Sequence, residues 1–517
     1  MAAATLAALT LTACAPRGSD SEAAAGGATG EPVAGDTLTV AMPSPPTSLD
    51  PAKNDAAFVS YTLLAYEPLI YRASDGRLRP ALATSWSYVG TGNKQLDIEL
   101  RKDATFADGT PVDAKAVKAS LEYVRSSQGS SAQLLSTVKS IDVRGQFSLS
   151  VKLSSPNPML PDVLTQSYGA GQIISPAGLA DPAALTAGSK SFGAGAYVLD
   201  PSKTVAGDHY TYTANQKYFD KSKQHYKKIE IRVIANSQAA LNALTTGQVD
   251  AAVGDLTTAQ QAKSTGLQIA RIPTIWQGLN LIDRSGTVSK PLGDVRVRRA
   301  INFAIDRSAI SKALLGDNGV PTTQVAVPGG DGYSKKAAEQ YPYDPEKARQ
   351  LLAEAGYADG FELKVLAIKL AGMDAVVQAM VPQLEKVGIK VELTVASDAQ
   401  TYIAGASDGS FPAVAVGYGA QPVHILGQGL FLPDAPVFNG FHSKDEQLIS
   451  LYEQAAAAPA SKRSELDRAI IERLTDQAWF APVTFAPVFY YARPDLGGVK
   501  VSPDAPVASP LDWYDTK

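Results

Sequence analysis

Several short segments alternate between hydrophobic and polar residues, a period of two that predicts half-buried strands. Helical spacing of apolar residues predicts helices between them. The predicted strands are 37–41, 95–100, 147–153, 229–234, 249–253, 361–366 and 389–395, with an apolar run leading to Tyr491. The predicted helices are 56–64, 113–125, 238–246, 374–387 and 461–478. Two strand–helix–strand units, at 229–253 and 361–395, favour parallel sheet with right-handed crossovers.

Two further helices carry clear start signals. Asp294 can cap a helix whose apolar residues recur on one face down to Ile305. Asp344 and Pro345 supply an N-cap and a first-turn proline for the next helix. Pro382 lies inside the helix predicted at 374–387, and we expect it to kink or interrupt that helix.

Length and composition indicate a multi-lobed globular protein. The chain has 517 residues, of which 45% are hydrophobic. Its main part is too long for one ordinary core, so we expect two or three lobes. The formal net charge of -4, without a cluster of Lys and Arg, gives no indication of a nucleic-acid partner. The order of elements favours two α/β lobes with a ligand cleft between them.

The sole cysteine, Cys14, ends an uncharged N-terminal segment that reads Leu-Thr-Ala-Cys over residues 11–14. This pattern is typical of lipoprotein signal peptidase sites, so residues 1–13 are predicted as a signal peptide and Cys14 as a lipidated N-terminus. Residues 14–35 are rich in Ala, Gly and Ser and predict a flexible tether. The protein is therefore expected at the outer face of the cytoplasmic membrane. A chance cysteine at a disordered terminus is the alternative, and the lack of Lys or Arg before the apolar segment leaves the true start open.

Six motifs in one order carry a resemblance to a known family. They are Leu49-Asp50-Pro51, Tyr66-Glu67-Pro68-Leu69, residues 80–83 with Trp86 and 106–112, Gly195-Ala196-Tyr197, residues 244–250, and residues 295–307, which 343–357 reinforce. In these motifs the chain resembles the family 5 extracellular solute-binding proteins. These are the oligopeptide-, dipeptide- and nickel-binding receptors of ATP-binding-cassette (ABC) importers.

The resemblance implies an α/β fold, a two-lobed periplasmic-binding-protein-like clamshell of class II type with an additional α+β insertion lobe. Lobe I is then expected from residues 36–75, 186–285 and 484–517, the insertion lobe from 76–185, and lobe II from 286–483. A hinge of paired strands would join the two main lobes. A ligand that touches both lobes stabilises the closed form by its differential affinity for that form.

The function implied is that of a lipid-anchored, monomeric receptor. It would capture a small organic solute, peptide or peptide-like, and deliver it to ABC permease subunits. No phosphate-binding G-x-x-x-x-G-K-[ST] loop occurs, so the ATPase is expected on a separate subunit, and no cofactor is expected. No Gly-x-Ser-x-Gly motif occurs, so no enzymatic activity is expected. The alternatives are a receptor for an oligosaccharide or metal chelate, a sensory or chaperone-like binding protein, and an exported hydrolase.

Candidate ligand-binding residues are aromatic or polar and lie in loops or at strand ends expected to face the cleft. They are Thr47, Ser48, Tyr168, Trp276, Asn280, Tyr418, Gly419, Gln421 and Trp479. For Trp276 and Trp479, packing in the core is the alternative to stacking on a ligand. For Thr47 and Ser48, the alternative is a rigid surface turn.

The segment between Asp408 and Asp434 contains no Asp or Glu. Peptide receptors of the family often carry an acidic residue there that pairs with the α-amino group of the peptide. Because a buried ammonium without a counter-charge is costly, we expect N-blocked ligands to bind at least as well as free peptides. The four histidines fall at no short metal-ligand spacing, so no metal site is predicted, although His424 alone could help to hold a nickel chelate.

Overall fold

A computed structural model describes residues 30–54, 56–127, 129–435 and 437–517. The predicted signal peptide, Cys14 and the tether up to residue 29 lie outside the described residues.

Within these ranges the strands and helices alternate along most of the chain. The strands are β1 Pro32–Val33, β2 Gly35–Met42, β3 Ile70–Arg72, β4 Leu78–Pro80, β5 Ala83–Tyr88, β6 Gln95–Leu100, β7 Val138–Gly145, β8 Ser148–Leu153, β9 Tyr197–Leu199, β10 His209–Ala214, β11 Tyr226–Val233, β12 Ala251–Gly254, β13 Gln268–Asn280, β14 Val320–Pro321, β15 Phe361–Ile368, β16 Ile389–Ala396, β17 Ala413–Gly419, β18 Phe480–Ala492, β19 Leu496–Gly497 and β20 Tyr514–Thr516. The α-helices are α1 Val59–Thr62, α2 Ala114–Ser126, α3 Ser130–Leu134, α4 Leu160–Val163, α5 Pro176–Ala180, α6 Pro182–Ala187, α7 Ser237–Thr245, α8 Leu256–Ser264, α9 Val295–Phe303, α10 Arg307–Leu315, α11 Lys335–Ala338, α12 Pro345–Glu354, α13 Met373–Glu385, α14 Ala399–Ser407, α15 Val423–Leu426, α16 Glu446–Ala457 and α17 Ala460–Asp476.

One large sheet extends through both main lobes. Its strand order is β16-β15-β17-β13-β18-β12-β2-β11-β10-β9, and β14 pairs with β18 outside this path. The long antiparallel strands β13 and β18 lie at its centre. β13 pairs with β17 through Ile275 to Asn280, whereas β18 pairs with β12 through Phe489 to Ala492. These two strands therefore belong to both halves of the sheet and connect lobe II with lobe I.

Both predicted strand–helix–strand units are confirmed. β15 and β16 are parallel neighbours, and β11 and β12 each pair in parallel with β2, which lies between them. The predicted caps are also confirmed, because Asp294 accepts a hydrogen bond from the Arg296 N–H and Asp344 accepts one from the Lys347 N–H, each at 2.8 Å. α13 continues through Pro382 to Glu385, so the predicted interruption is wrong. Pro382 lies in the last turn, where it removes only one backbone hydrogen bond.

A second, antiparallel sheet of order β5-β6-β8-β7 forms the insertion lobe and lies wholly within residues 76–185. Its apolar side chains form a hydrophobic cluster of their own with α2. A cluster around Leu366 and Val416 fills lobe II, and another around Tyr61 and Trp513 fills lobe I. The limits of the three lobes stay a prediction. None of the helices in the described part of the chain is long and apolar enough to span a membrane.

Candidate functional site

A cavity of about 940 Å³ lies where the two halves of the large sheet meet the insertion lobe. The long central strands contribute Thr274 and Ile275 of β13 and Val488 and Tyr490 of β18. The register of these two strands shifts between Pro273 and Ile275, at the same place. The volume is within the usual range for sites that enclose a small molecule. Loops of all three lobes complete the wall.

Three of the predicted site residues line this cavity: Tyr168, Gly419 and Gln421. The Tyr168 hydroxyl donates a hydrogen bond to Gln421 Oε1 at 2.7 Å, which joins the insertion lobe to lobe II. Burial raises the pKa of Tyr168, so its hydroxyl stays protonated and able to donate. Gly419 ends β17, and a Cβ placed on it would meet no atom within 4 Å.

Three other predicted residues lie in the hydrophobic core and do not line the cavity. Trp276 is fully buried and packs edge-on against Phe480, with ring centroids 5.5 Å apart. Trp479 lies under the guanidinium of the buried Arg284 at 3.9 Å, and Asn280 accepts a hydrogen bond from the same guanidinium at 2.6 Å. The structure therefore selects core packing for both tryptophans. The side-chain oxygen of Asn280 is used as a hydrogen-bond acceptor for the buried Arg284, because a desolvated cation needs such acceptors.

The loop after β2 approaches the cavity, although through other residues than those predicted. Residues 43–44 contribute to the wall. Thr47 is exposed and donates to Asn54 Oδ1 at 3.3 Å, and the buried Ser48 Oγ accepts a hydrogen bond from the Asp50 N–H at 3.0 Å. Thr47 and Ser48 thus shape the turn, which is the alternative that the sequence left open.

Tyr418 and His424 lie on either side of the cavity-lining residues 419–422 and pack against other aromatic rings. Tyr418 is half-buried and lies edge-on to Phe438, with centroids 6.1 Å apart. His424 is buried and stacks on Tyr452 at 4.7 Å. Burial lowers the pKa of His424 to about 4, so its ring is neutral at physiological pH. The described residues contain no group of three or more His, Cys, Asp or Glu side chains arranged to hold a metal ion.

Sequence reasoning missed the charged groups of the cavity. Among the described residues, five charged side chains line it: Arg72, Asp162, Asp331, Arg463 and Asp504. They come from a strand end, loops and helices far apart in the chain, and nothing in the sequence separates them from solvated surface charge. The lack of an acidic residue between 408 and 434 therefore does not leave the cavity without carboxylates. The reason for expecting N-blocked ligands to bind as well as free peptides does not hold.

The insertion lobe and lobe II contact each other beside the cavity. The side-chain amide of Asn93, in the β5–β6 turn, donates to the Ala456 carbonyl at 2.8 Å and to the Ala458 carbonyl at 2.9 Å, at the C-terminus of α16. Ile425 of lobe II packs into the hydrophobic cluster of the insertion lobe. These contacts hold the lobes together around the cavity.

A family model for the bacterial extracellular solute-binding proteins, family 5 (middle region), matches residues 77–425. The chain belongs to this family. It is therefore a solute-binding receptor of the kind that works with ABC permeases, a role that is not enzymatic, and its relatives are extracytoplasmic.

Relatives of this family 5 protein differ in what they bind. The nickel-binding periplasmic protein of Escherichia coli K12 is 26% identical over 93% of this chain and 94% of its own length. The glutathione-binding protein GsiB of Salmonella paratyphi A is 28% identical over 69% of each chain. The ABC transporter-associated periplasmic binding protein DppA of Helicobacter pylori, solved with the peptide STSA, has a TM-score of 0.73 at 21% identity and covers 94% of this chain and 99% of its own. This likeness confirms the predicted clamshell fold.

Replacing Asn93 by glycine is expected to shift the ligand-free family 5 protein towards an open form. Asn93 has a φ of 50°, which glycine adopts without strain, so the variant loses the amide and keeps the turn. Two lost hydrogen bonds at about 1 kcal/mol each lower the closed-to-open ratio roughly tenfold or more. Small-angle X-ray scattering should show a larger radius of gyration. Asn93→Asp should open the protein at least as much, because a carboxylate cannot donate hydrogen bonds to the two carbonyls. An unchanged radius of gyration in both variants would contradict the role of Asn93 in holding the closed form.

Asp467 is expected to make the stability of the family 5 protein depend on pH. Its carboxyl is almost fully buried in α17, and burial, with a further contribution from the neighbouring Asp331, raises its pKa far above the usual range. The folded state therefore holds a proton that the unfolded chain releases above about pH 4. The free energy of unfolding must fall as the pH rises from there towards the raised pKa.

The measurement is chemical unfolding of the wild type and Asp467→Asn at pH 5 and pH 8. An amide cannot ionise, so the variant should lose less stability than the wild type between these pH values. Asp359→Asn, at an exposed position, is the matched control and should follow the wild type. Equal pH slopes for Asp467→Asn and the control would rule out this titration.

Proposed function

We propose that the chain is a lipid-anchored receptor that captures a small organic solute, peptide or peptide-like, and delivers it to the permease subunits of an ABC importer. The observation that carries the proposal is the cavity of about 940 Å³ enclosed between lobe I, lobe II and the insertion lobe. A solute held there touches all three lobes, so its binding free energy can stabilise the closed form. The closed surface then presents the receptor to its permease, and the ATPase is a separate subunit.

The peptide-like class is supported by both relatives and chemistry. GsiB is a glutathione-binding protein, and DppA of Helicobacter pylori was solved with a peptide. The cavity of this chain combines apolar side chains such as Phe58 and Val325 with the polar Ser167, Tyr168 and Gln421. Amide groups of a ligand can bond to such side chains while its apolar parts face the remaining wall. We assign solute contacts to Tyr168, Gly419 and Gln421.

Attachment to the membrane is proposed through lipid at Cys14. The tether predicted over residues 14–35 ends earlier than predicted, because Pro32–Val33 forms strand β1, which pairs with β20, and Gly35 begins β2. Cys14→Ser should move the protein from the membrane fraction to the soluble fraction, because the thiol that accepts the lipid is removed. Mass spectrometry of the wild-type N-terminus should show the added diacylglyceryl group. The same proposal includes that the anchored receptor acts as a monomer.

Native mass spectrometry of the receptor purified from its own host tests the capture step. A tightly held solute should travel with the protein and be released intact on denaturation. Loss of uptake of that solute on deletion of the gene should follow, and the solute should remain chemically unchanged after incubation with the protein. A receptor that carries no solute, and does not bind one from the host's growth medium by calorimetry, would overturn the proposal.

A further inference from the structure

Two aspartate side chains, Asp331 and Asp467, are hydrogen-bonded to each other at the cavity wall. Asp331 lines the cavity, whereas Asp467 lies behind it in α17 and is 2% exposed. Two ionised carboxylates cannot form a hydrogen bond, because both are acceptors only. The contact therefore contains one proton, which the two side chains hold between them.

Asp331 belongs to a wall loop, residues 329–332, that reads Gly-Gly-Asp-Gly. Three of its four residues line the cavity. Gly332 has a φ of 71°, and a Cβ on it would lie 2.4 Å from Val423 Cγ2 and 3.2 Å from the Asp467 carbonyl oxygen. The loop thus lies directly against α17 and the start of α15. Its glycines give it little stiffness of its own, so side-chain contacts must fix its position.

Asp331 carries the side chain that fixes the wall loop to its surroundings. Its Oδ2 accepts a hydrogen bond from the Val423 N–H at 2.9 Å, directly after the cavity-lining residues 419–422. Its contact with Asp467 joins the same carboxyl group to α17. One carboxyl group therefore holds together the wall loop, α17 and the segment that contains Gln421, to which we assign a solute contact.

Arg463 is the cation that acts most directly on this pair. Its guanidinium lies 3.8 Å from the Asp467 carboxylate and donates to the Pro158 carbonyl of the insertion lobe at 3.5 Å. The other titratable groups that the elements around the pair contribute are Tyr452 of α16, His424 of α15, Lys336 of α11, and Asp162 and Asp504 elsewhere in the cavity wall. Burial keeps Tyr452 and His424 uncharged at neutral pH, because it raises the pKa of the phenol and lowers that of the imidazole.

Loss of the shared proton would place two negative charges in one buried contact. Burial raises the pKa of Asp467, and Asp331 adds to the increase against the opposing effect of Arg463. The proton is therefore held in acidic and neutral solution and is lost as the pH rises through the raised pKa. The two carboxylates then repel each other where a hydrogen bond stood. Because Asp467 is fixed in a helix, the glycine-rich wall loop is the part that moves.

We propose that Asp331 and Asp467 are positioning residues for solute capture, and that the proton they share holds the wall loop and residues 419–422 in the form that binds the solute. The inference rests on the proposed function and adds a regulation of the same site. Capture is strong below the pH at which the pair ionises and weakens above it. The receptor thus loses its solute more readily in alkaline surroundings.

Hydrogen–deuterium exchange of the ligand-free, full-length protein tests the wall without any knowledge of the solute. The readout is the Val423 N–H, in peptides that span residues 420–431. The wild type and Asp467→Asn should exchange alike at pH 6, because the amide donates to Asp331 as the protonated acid does. At pH 9 the wild type should exchange about fivefold faster or more than the variant, because the amide cannot ionise.

Two further variants complete the exchange experiment. Asp331→Asn keeps an acceptor for the Val423 N–H and donates to Asp467, so it should be protected at pH 9 as Asp467→Asn is. Asp359→Asn, at an exposed position, is the matched control and should follow the wild type at both pH values. Equal exchange of the wild type and both wall variants at pH 9 overturns the proposal.

Native mass spectrometry after dialysis tests the link between the wall and capture. The wild type should lose more of its co-purified solute at pH 9 than at pH 6, with affinity falling by up to about tenfold per pH unit for one linked proton. Asp467→Asn should retain the solute at both pH values. Equal loss from the wild type and this variant contradicts the positioning role. A protein that carries no solute fails the proposed function instead, and the exchange measurement then decides on the wall alone.

Discussion

Replacing Gly419 by phenylalanine is expected to abolish solute capture while the receptor stays folded. Gly419 ends β17 at the cavity wall, and a Cβ there would meet no atom within 4 Å. The new ring therefore enters open space, and a strand position gains a residue type that strands favour. A solute that fills the cavity would have to share it with the ring. We expect the affinity for the co-purified solute to fall about 100-fold or more, roughly the loss of two well-buried groups.

A graded series at Gly419 separates cavity filling from damage to the fold. Alanine adds one methyl group and should reduce affinity little, leucine should reduce it further, and phenylalanine should have the largest effect. Thermal unfolding should be nearly the same for all three variants. Titration calorimetry with the solute identified by native mass spectrometry measures the trend. Tight binding by Gly419→Phe would place the solute elsewhere in the molecule.

The elements of this fold were largely readable from the sequence because local chemistry fixes them. Asp294 and Asp344 stand immediately before helices with apolar stripes, and each accepts the hydrogen bond that an N-cap should accept. The two strand–helix–strand units pair in parallel as their order requires. The interruption that Pro382 could have caused does not occur, because the proline lies in the last turn of α13, close to the helix end.

The site was less predictable because it is assembled from distant segments. Tyr168 and Gln421 were candidates as polar side chains in loops, yet their mutual hydrogen bond joins residues 253 positions apart. Trp276 lies one residue beyond the cavity-lining Ile275, and the alternation of a strand turns its side chain to the core. Asp504 looks like any exposed carboxylate in the sequence. Only the closure of three lobes around one cavity gives these residues their roles.

Replacing Arg307 by methionine is expected to lower the free energy of unfolding of lobe II by about 3 kcal/mol or more. Arg307 is 5% exposed and is the last residue of the family motif at 295–307. Its guanidinium donates to the Pro482 carbonyl at 2.7 Å, to the Asn302 carbonyl at 2.8 Å and to Asn302 Oδ1 at 2.7 Å. Burial lowers its pKa to about 9, so it remains a cation at neutral pH. Methionine keeps much of the volume and leaves these buried acceptors without donors.

The motif thus stabilises the fold, because Arg307 joins α10 by a hydrogen bond to β18, one of the two strands shared by both lobes. Arg349→Met is the matched control on the surface of the same lobe, where the arginine pairs with Glu346 in solvent and should contribute little. Thermal unfolding should show a midpoint lowered by roughly 6–12 °C for Arg307→Met, given 2–4 °C per kcal/mol for a domain of this size. A midpoint equal to that of the control would mean that the acceptors find other donors.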